Sequence, residues 1–281
     1  MSETNLTVTR GVDTEDASNK DLAPDSTAEG VGGQIPVPVY KNMTFQVEAQ
    51  GAGGKDLFEK CLALMNSTGG VIAFAPTNGT NNRTGTPSTA YQAICNDLTI
   101  NAPNRQPITC TAQFTVIGTT TYSAGTAPAV ETTPVKRGEF LRLFIGTSTA
   151  TDPIALATSC SLHVSLSLED ATTKDTTGDW VIQEVTGLSY DISTTALVRS
   201  NDTITSAVAG KTFGDLEDIY EASNPVRFQI ANVSGDNQRT KGSVLMSGSV
   251  ILSQLVCNAP NRQAATWTAT LNGYGTYTVG A

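Results

Sequence analysis

Apolar and polar residues alternate along much of this chain. Between 161 and 168, leucine or valine occupies every second position, and serine or histidine lies between them. A period of two predicts a strand with one buried face and one face of small polar residues. After a loop at 169–179, the segments 180–185 and 188–197 predict two further strands.

Two short segments have the spacing of an amphipathic helix instead. In 214–223, Leu216, Ile219 and Tyr220 lie at i, i+3 and i+4, and the pattern stops at Asn224-Pro225. In 55–66 a similar apolar stripe ends before two glycines. Both segments are interpreted as helices packed on a sheet.

Each helix is followed by the same series of elements. The predicted strands are 71–75, 89–100 and 107–116 after the first helix, and 226–230, 244–257 and 264–271 after the second. A turn that contains proline joins the last two strands of each series, as expected for a residue without an N–H to donate. The fold class predicted is mainly β and mostly antiparallel, a sandwich or barrel with one short flanking α-helix in each unit.

The sequence also repeats. The hexapeptide Asn-Ala-Pro-Asn-Arg-Gln at 101–106 returns 157 residues later, and 94–121 has 14 identities in 28 positions at that offset. Upstream, 15–21 resembles 169–175 at an offset of 154. A repeat that spans nearly the whole chain in the same order indicates a tandem duplication.

The duplication predicts the domain organisation. We expect a first domain at 1–125, a linker at 126–138 and a second domain at 139–281. No part of the first copy corresponds to 140–158, so the first domain is expected to lack one N-terminal strand.

Charge and composition exclude several classes of protein. With 17 Lys+Arg against 26 Asp+Glu, the net charge is −9, which argues against a protein that grips duplex DNA through clustered cations. One histidine and five scattered cysteines fit neither a zinc site nor a disulfide framework, and no nucleophile–base pair stands out. We therefore expect no enzyme, cofactor or metal. No apolar stretch predicts a signal peptide or a membrane span.

A series of motifs in the second copy points to a family. They are an opening strand at 141–146, the segment 154–159, Lys174-Asp175, Gly-Asp-Trp at 178–180, Gly-Leu at 187–188, the segment 192–195 and a closing sheet at 253–275. In their order, over about 140 residues, they resemble the tail tube (major tail) proteins of TP901-1-like siphophages, long-tailed bacteriophages. The first copy shares the loop, the helix and the closing sheet, but has Ser26 where the second has Trp180.

This resemblance implies a structural virion protein. In that family six β-sandwich domains form a ring, their inner sheets join into one barrel, and stacked rings deliver the viral genome. A duplicated domain implies a homotrimer, three chains in each pseudo-hexameric ring. The implied partners are the chain itself, tail tip or baseplate proteins, a tail terminator and a tape measure protein in the lumen, through which DNA passes without specific binding. The implied location is the virion tail, assembled in the bacterial host cytoplasm.

Two sets of residues are candidates for contacts between subunits. The resemblance implies that one loop of each copy reaches the neighbouring ring, and the charged residues repeated there are Glu15, Asp16, Lys20, Asp21, Glu169, Asp170, Lys174 and Asp175. A solvated loop is the alternative interpretation. The candidates for either a turn or a subunit interface are Arg83, Arg105, Arg239 and Arg262.

Two other functions remain open at this point. The inner tube of a contractile tail or injection system has the same fold and differs only in the surrounding sheath. A secreted two-domain adhesin or carbohydrate-binding module belongs to another class, and the missing signal peptide and unpaired cysteines argue against it.

Overall fold

The structure, a computed structural model, describes residues 3–16, 36–66, 71–74, 90–120, 137–173, 179–198, 210–234 and 240–280. The strands in order are β1 (Glu3–Asp16), β2 (Pro36–Gln50), β3 (Val71–Phe74), β4 (Ala90–Pro103), β5 (Thr109–Thr120), β6 (Leu141–Gly146), β7 (Asp152–Pro153), β8 (Ala157–Asp170), β9 (Gln183–Leu197), β10 (Val226–Ser234), β11 (Thr240–Asn258), β12 (Thr266–Gly273) and β13 (Thr278–Val279). The helices are α1 (Gly51–Asn66) and α2 (Phe213–Ala222), with one 3-10 turn at Gly138–Phe140. The predicted mainly-β fold is confirmed.

All described strands belong to one antiparallel sheet. Its order is β1-β2-β5-β4-β8-β9-β12-β11-β10-β6-β7, while β3 pairs with β4 and β13 pairs with β11. Four strands of the first half, β1-β2-β5-β4, are thus followed by four of the second half, β8-β9-β12-β11. The two sets have the same internal order.

The two halves meet where β4 pairs with β8. We call this pairing the central joint; its register runs from Asp97 opposite Ser165 to Pro103 opposite Ser159. The apolar side chains on one face of the joint are fully buried, including Leu98 and Leu162. The sheet therefore continues from one half of the chain into the other.

The prediction of two separate strands at 180–185 and 188–197 was wrong. One strand, β9, covers the second half of 180–185 and all of 188–197. Its pairing with β8 shifts register between Val185 and Gly187, so Thr186 is an extra residue opposite no partner. Such a bulge interrupts the alternation of side chains without ending the strand, and the sequence pattern therefore breaks where the strand does not.

Both predicted helices are present, and their starts have local causes. Gly51, at φ 61°, turns the chain from β2 directly into α1, in a backbone conformation that suits glycine. The Thr212 hydroxyl accepts from the Asp215 N–H, while the Asp215 carboxylate accepts from the Thr212 N–H, which forms a capping box for α2.

The buried stripe predicted for α2 is partly wrong. Leu216 is fully buried and Ile219 packs against the core, but Tyr220 is 48% exposed. Because α2 contacts the sheet mainly at β11, only part of the apolar stripe reaches the core.

The segment before β6 packs against the central joint. The Gly138 N–H donates to the Gln106 carbonyl over 2.8 Å, and the backbone of Arg137 forms an isolated antiparallel β-bridge with that of Pro107. A Cβ atom on Gly138 would lie 2.2 Å from the Pro103 carbonyl oxygen. This close approach is possible only for a residue without a side chain.

Gly138→Ala is therefore expected to lower the free energy of unfolding by about 1–3 kcal/mol, because the added methyl group meets backbone that cannot easily move. The measurement is thermal unfolding followed by circular dichroism. The matched control is Gly214→Ala in the first turn of α2, where a Cβ meets nothing within 4 Å. It is expected to stabilise by up to about 1 kcal/mol through helix propensity. Equal midpoints for Gly138→Ala and the wild type would contradict the prediction.

Candidate interface edges of the sheet

Several stretches of the described strands have no neighbouring strand on one side, and two of them lie on β1 and β11. Among the described strands, β1 pairs with β2 alone. On β11, β10 covers residues 240–250, so 251–258 pairs with β12 on one side and is open on the other. We call these the β1 edge (5–12) and the β11 edge (251–258). Open edges of this length are templates for pairing with another strand.

The repeat relates these two edges to the central joint. At the offset of 157, residues 254–260 correspond to 97–103 of β4, and at the offset of 154, residues 5–11 correspond to 159–165 of β8. The β11 edge thus corresponds to one side of the joint and the β1 edge to the other side.

Burial differs sharply between corresponding positions. Leu162 in the joint is 0% exposed, whereas Val8, which corresponds to it, is 40% exposed. Ile100 is likewise buried in the joint, whereas Cys257 at its corresponding position is exposed. Apolar side chains that are covered in the joint are therefore open to solvent at the edges.

β4 and β11 also have β-bulges at corresponding positions. The β4–β5 pairing shifts register between Cys95 and Asp97, and the β11–β12 pairing shifts between Leu252 and Gln254, at the same offset of 157. Each shift inserts one extra residue, so both strands bend at corresponding points.

Arg105 and Arg262 occupy the turns of these hairpins. Both have φ of 60°, in the left-handed region, and both side chains are exposed. The following residue closes each turn, since the Gln106 N–H donates to Pro103 and the Gln263 N–H donates to Pro260. A non-glycine residue in this conformation at both turns indicates that the hairpins share one geometry.

The structure describes the charged loop candidates only in part. Glu169 and Asp170 end β8, opposite Glu184 and Gln183. The hydroxyl and backbone N–H of Thr172 hydrogen-bond to Asp170 and lower the pKa of its carboxyl group. Glu15 and Asp16 end β1, but their side chains are outside the described part. The candidates that lie outside the described residues altogether are Lys20, Asp21, Lys174, Asp175, Arg83 and Arg239.

One face of the sheet is lined by small polar and acidic residues. Three cross-strand rows on this face are Thr9–Thr44–Thr115, Asn5–Glu48–Thr111–Thr99–His163–Asp191–Asn272 and Asn101–Ser161–Ser193–Thr270. These three rows include Glu48 and Asp191 but neither lysine nor arginine. Arg227 lies beyond them, opposite Ser249 on β11. The three rows therefore contain no series of lysines and arginines that would hold a polyanion.

Sequence reasoning missed the partners of His163 on this face. Its Nε2 lies 2.8 Å from an Asp97 oxygen, and its Nδ1 lies 2.9 Å from an Asp191 oxygen. The alternation of residues 161–168 places the histidine on the polar face, but it does not indicate which distant strands supply the carboxylates.

The second half also contacts the first half outside the joint. Trp180 packs edge to face on Tyr91, with ring centroids 6.1 Å apart. The Lys41 N–H donates to the Asp179 carbonyl over 2.6 Å, and the two side chains form an ion pair. Trp180, named above as part of a sequence motif, therefore helps to hold the two halves together.

The cysteines do not form a metal site in the described residues, which hold no group of three or more suitable ligands. Cys61, Cys95, Cys110 and Cys160 are buried, and Cys257 is exposed. Burial raises the pKa of the Cys160 thiol to about 12 and thus keeps it protonated at neutral pH. In the described part of the chain, neither helix is long and apolar enough to cross a bilayer.

Comparison with known proteins gives matches among solved structures alone. No family model matches the chain, and no curated protein matches it. It is similar to a chain from the tail of an empty gene transfer agent particle, determined by helical refinement with C6 symmetry, and to a chain from the virion of a native gene transfer agent particle. Each match has 15% sequence identity and a TM-score of 0.39, and covers 52% of this chain and 100% of the other.

Proposed function

We propose that this chain is a structural protein that polymerises into the tube of a phage tail, with three chains in each ring. One observation carries the proposal: the β1 and β11 edges correspond, residue by residue, to the two sides of the central joint. A head-to-tail contact between two different edges closes into a ring when the rotation per subunit divides a full turn. Closing the ring would leave neither edge open.

The central joint defines the register of the proposed contact. Leu98 lies opposite Val164 in the joint, and Ile100 lies opposite Leu162. Corresponding pairing would place Leu255 opposite Arg10 of the next chain and Cys257 opposite its Val8. Both edges would then bury part of their exposed apolar side chains, at about 25 cal/mol for each Å² removed from water.

A duplicated domain determines how many chains would form one ring. The shared strand order, the paired bulges and the matched turns support two copies of one unit in each chain. Three chains then supply six units, the number in each ring of the family that the sequence resembles. The charged loops at 15–25 and 169–179 would contact the adjacent ring.

The polar face of the sheet suits the wall of a conduit. Small hydroxyl side chains hold water, and acidic residues repel phosphate, so DNA could pass without being held. The proposed location is the virion tail after assembly in the host cytoplasm. The other partners would be tail tip or baseplate proteins, a terminator, and a tape measure protein inside the tube.

The test is cross-linking of purified full-length chain at rising concentration. In Val8→Cys, mild oxidation is expected to link the new thiol to Cys257 of a neighbouring chain, because the proposed register places these positions opposite each other. Non-reducing electrophoresis should show dimers, then trimers, with no larger covalent species, as a closed ring of three requires. Negative-stain microscopy of the same samples should show rings or hollow tubes.

The matched control is Val12→Cys, which lies on the same strand and is 54% exposed. It is four residues away, about 13 Å along the strand, and is expected not to cross-link. An unlimited ladder of covalent species would contradict the closed ring of three. Equal cross-linking of both variants, or none at a concentration where tubes are visible, would contradict the register.

A further inference from the structure

His163 lies where three strands of the sheet meet at the central joint. Directly opposite it are Asp191 on β9 and Thr99 on β4, and Asp97 is diagonal to it on β4. Both ring nitrogens face carboxylate oxygens, at 2.8 Å for Asp97 and 2.9 Å for Asp191. The imidazole therefore connects a carboxylate of the first half to a carboxylate of the second half.

The number of protons on the ring decides whether both contacts are attractive. A neutral imidazole has one N–H, so one of its nitrogens would direct a lone pair at a carboxylate. An imidazolium has two N–H groups and donates to both carboxylates. The geometry thus fits the protonated ring.

The other side chains near the ring are neutral. They are Thr99 on β4, Ser161 and Ser165 on β8, Ser189 and Ser193 on β9, Gln113 on β5 opposite Asp97, and Asn272 on β12 opposite Asp191. In the described surroundings, the charge of the ring is thus balanced by Asp97 and Asp191 alone.

We propose that His163, Asp97 and Asp191 form a charged clasp that holds the central joint closed while the histidine is protonated and loosens the joint when the proton leaves. Partial burial of the ring opposes protonation, but the hydrogen bonds and charges of Asp97 and Asp191 outweigh it and raise the pKa of His163 above its ordinary value. The stabilisation is therefore complete below the pKa of an unfolded histidine, about 6.5, and is lost as the pH rises through the higher pKa of the folded state.

The clasp is confined to the joint inside the chain. By the repeat, Thr9 on the β1 edge corresponds to His163, and Gln254 on the β11 edge corresponds to Asp97. Thr44 on β2 lies opposite Thr9 as Asp191 lies opposite His163. None of these three side chains titrates. A rise in pH is thus expected to loosen the joint between halves and to leave the proposed contact between chains unchanged. Only this correspondence depends on the function proposed above, since the clasp itself consists of contacts within one chain.

His163 is the single histidine of the chain, so its ring proton signals can be followed by NMR without assignment. In the full-length protein, kept below its assembly concentration, the titration midpoint is expected above that of free histidine. Asp97→Asn and Asp191→Asn should each lower the midpoint. A wild-type midpoint at or below that of free histidine would overturn the proposal.

The second measurement is amide hydrogen exchange of β4 and β8, corrected for intrinsic exchange, between about pH 5.5 and 8.5, a range that spans the ordinary pKa of histidine. Protection is expected to fall with rising pH, by about tenfold for each pH unit that separates the folded midpoint from that of free histidine. His163→Gln should abolish this dependence. The same fall in the variant would overturn the proposal. Because the clasp is measured in single chains, its failure is distinct from a failure of Val8→Cys to cross-link.

Discussion

Deleting Thr99 is expected to abolish the cooperative unfolding transition of this protein. Thr99 lies in the regularly alternating part of β4, between Leu98 and Ile100 and opposite Thr111 and His163. Leu98 and Ile100 are both buried in the core. Without Thr99, Ile100 and every later residue of β4 would move to the opposite face of the sheet.

The cost of that reversal approaches the whole stability of a domain. Ile100 and Ala102 would leave the core, and burial of an isoleucine side chain alone contributes about 1.5–3 kcal/mol. Asn101 would turn toward the core, where an unpaired amide is costly. Leu162 on β8 would lose Ile100, its apolar neighbour in the joint. Together these losses are comparable to the roughly 5–15 kcal/mol that stabilises a native protein.

Urea unfolding followed by tryptophan fluorescence and circular dichroism tests this prediction. The matched control is deletion of Asn96, the extra residue of the bulge between Cys95 and Asp97, whose buried side-chain oxygen has no hydrogen-bond partner in the described structure. Without Asn96 the strand alternates regularly and the later residues keep their faces, so this variant should retain a cooperative transition. A cooperative transition of the Thr99 deletion variant within about 1 kcal/mol of the wild type would show that the hairpin turn, rather than the sheet face, absorbs the lost residue.

Bulges also explain what the sequence could not predict about the fold. Alternation between 161 and 168 correctly predicted β8, because its period is unbroken there. The pattern failed around Thr186, where an extra residue reverses the parity of side chains inside one strand. The period of a strand is a local property of the sequence, whereas a bulge depends on the register with the neighbouring strand.

At the candidate interface, too, the sequence predicted the local features and missed those formed by residues far apart in the chain. The repeated hexapeptide identified the two hairpin turns, including Arg105 and Arg262, because a tight turn is encoded by a few adjacent residues. The central joint and the clasp at His163 depend on strands far apart in the chain: Asp97 and His163 are separated by 66 positions. The order of strands in the sheet, which brings them together, is not encoded in any one segment.

Leu98→Ala is expected to lower the free energy of unfolding by about 2–5 kcal/mol, because Leu98 is fully buried beside β8 and the cavity cannot collapse without moving the joint. Leu255 is the matched control, since it corresponds to Leu98 at the offset of 157 but lies on the open β11 edge. In the unassembled chain it is partly exposed, so Leu255→Ala should cost less than about 1.5 kcal/mol.

Leu255→Ala should have its main effect on assembly rather than on the stability of the single chain. If the β11 edge pairs with β1 of the next chain, Leu255 becomes buried as Leu98 already is, and Leu255→Ala must then raise the concentration needed for tube formation. Denaturant unfolding below that concentration measures the first difference, and sedimentation of tubes across a concentration series measures the second. An equal loss of unfolding free energy in both variants would contradict the open edge. Unchanged assembly of Leu255→Ala would mean that the tube, if it forms, is closed through a different surface.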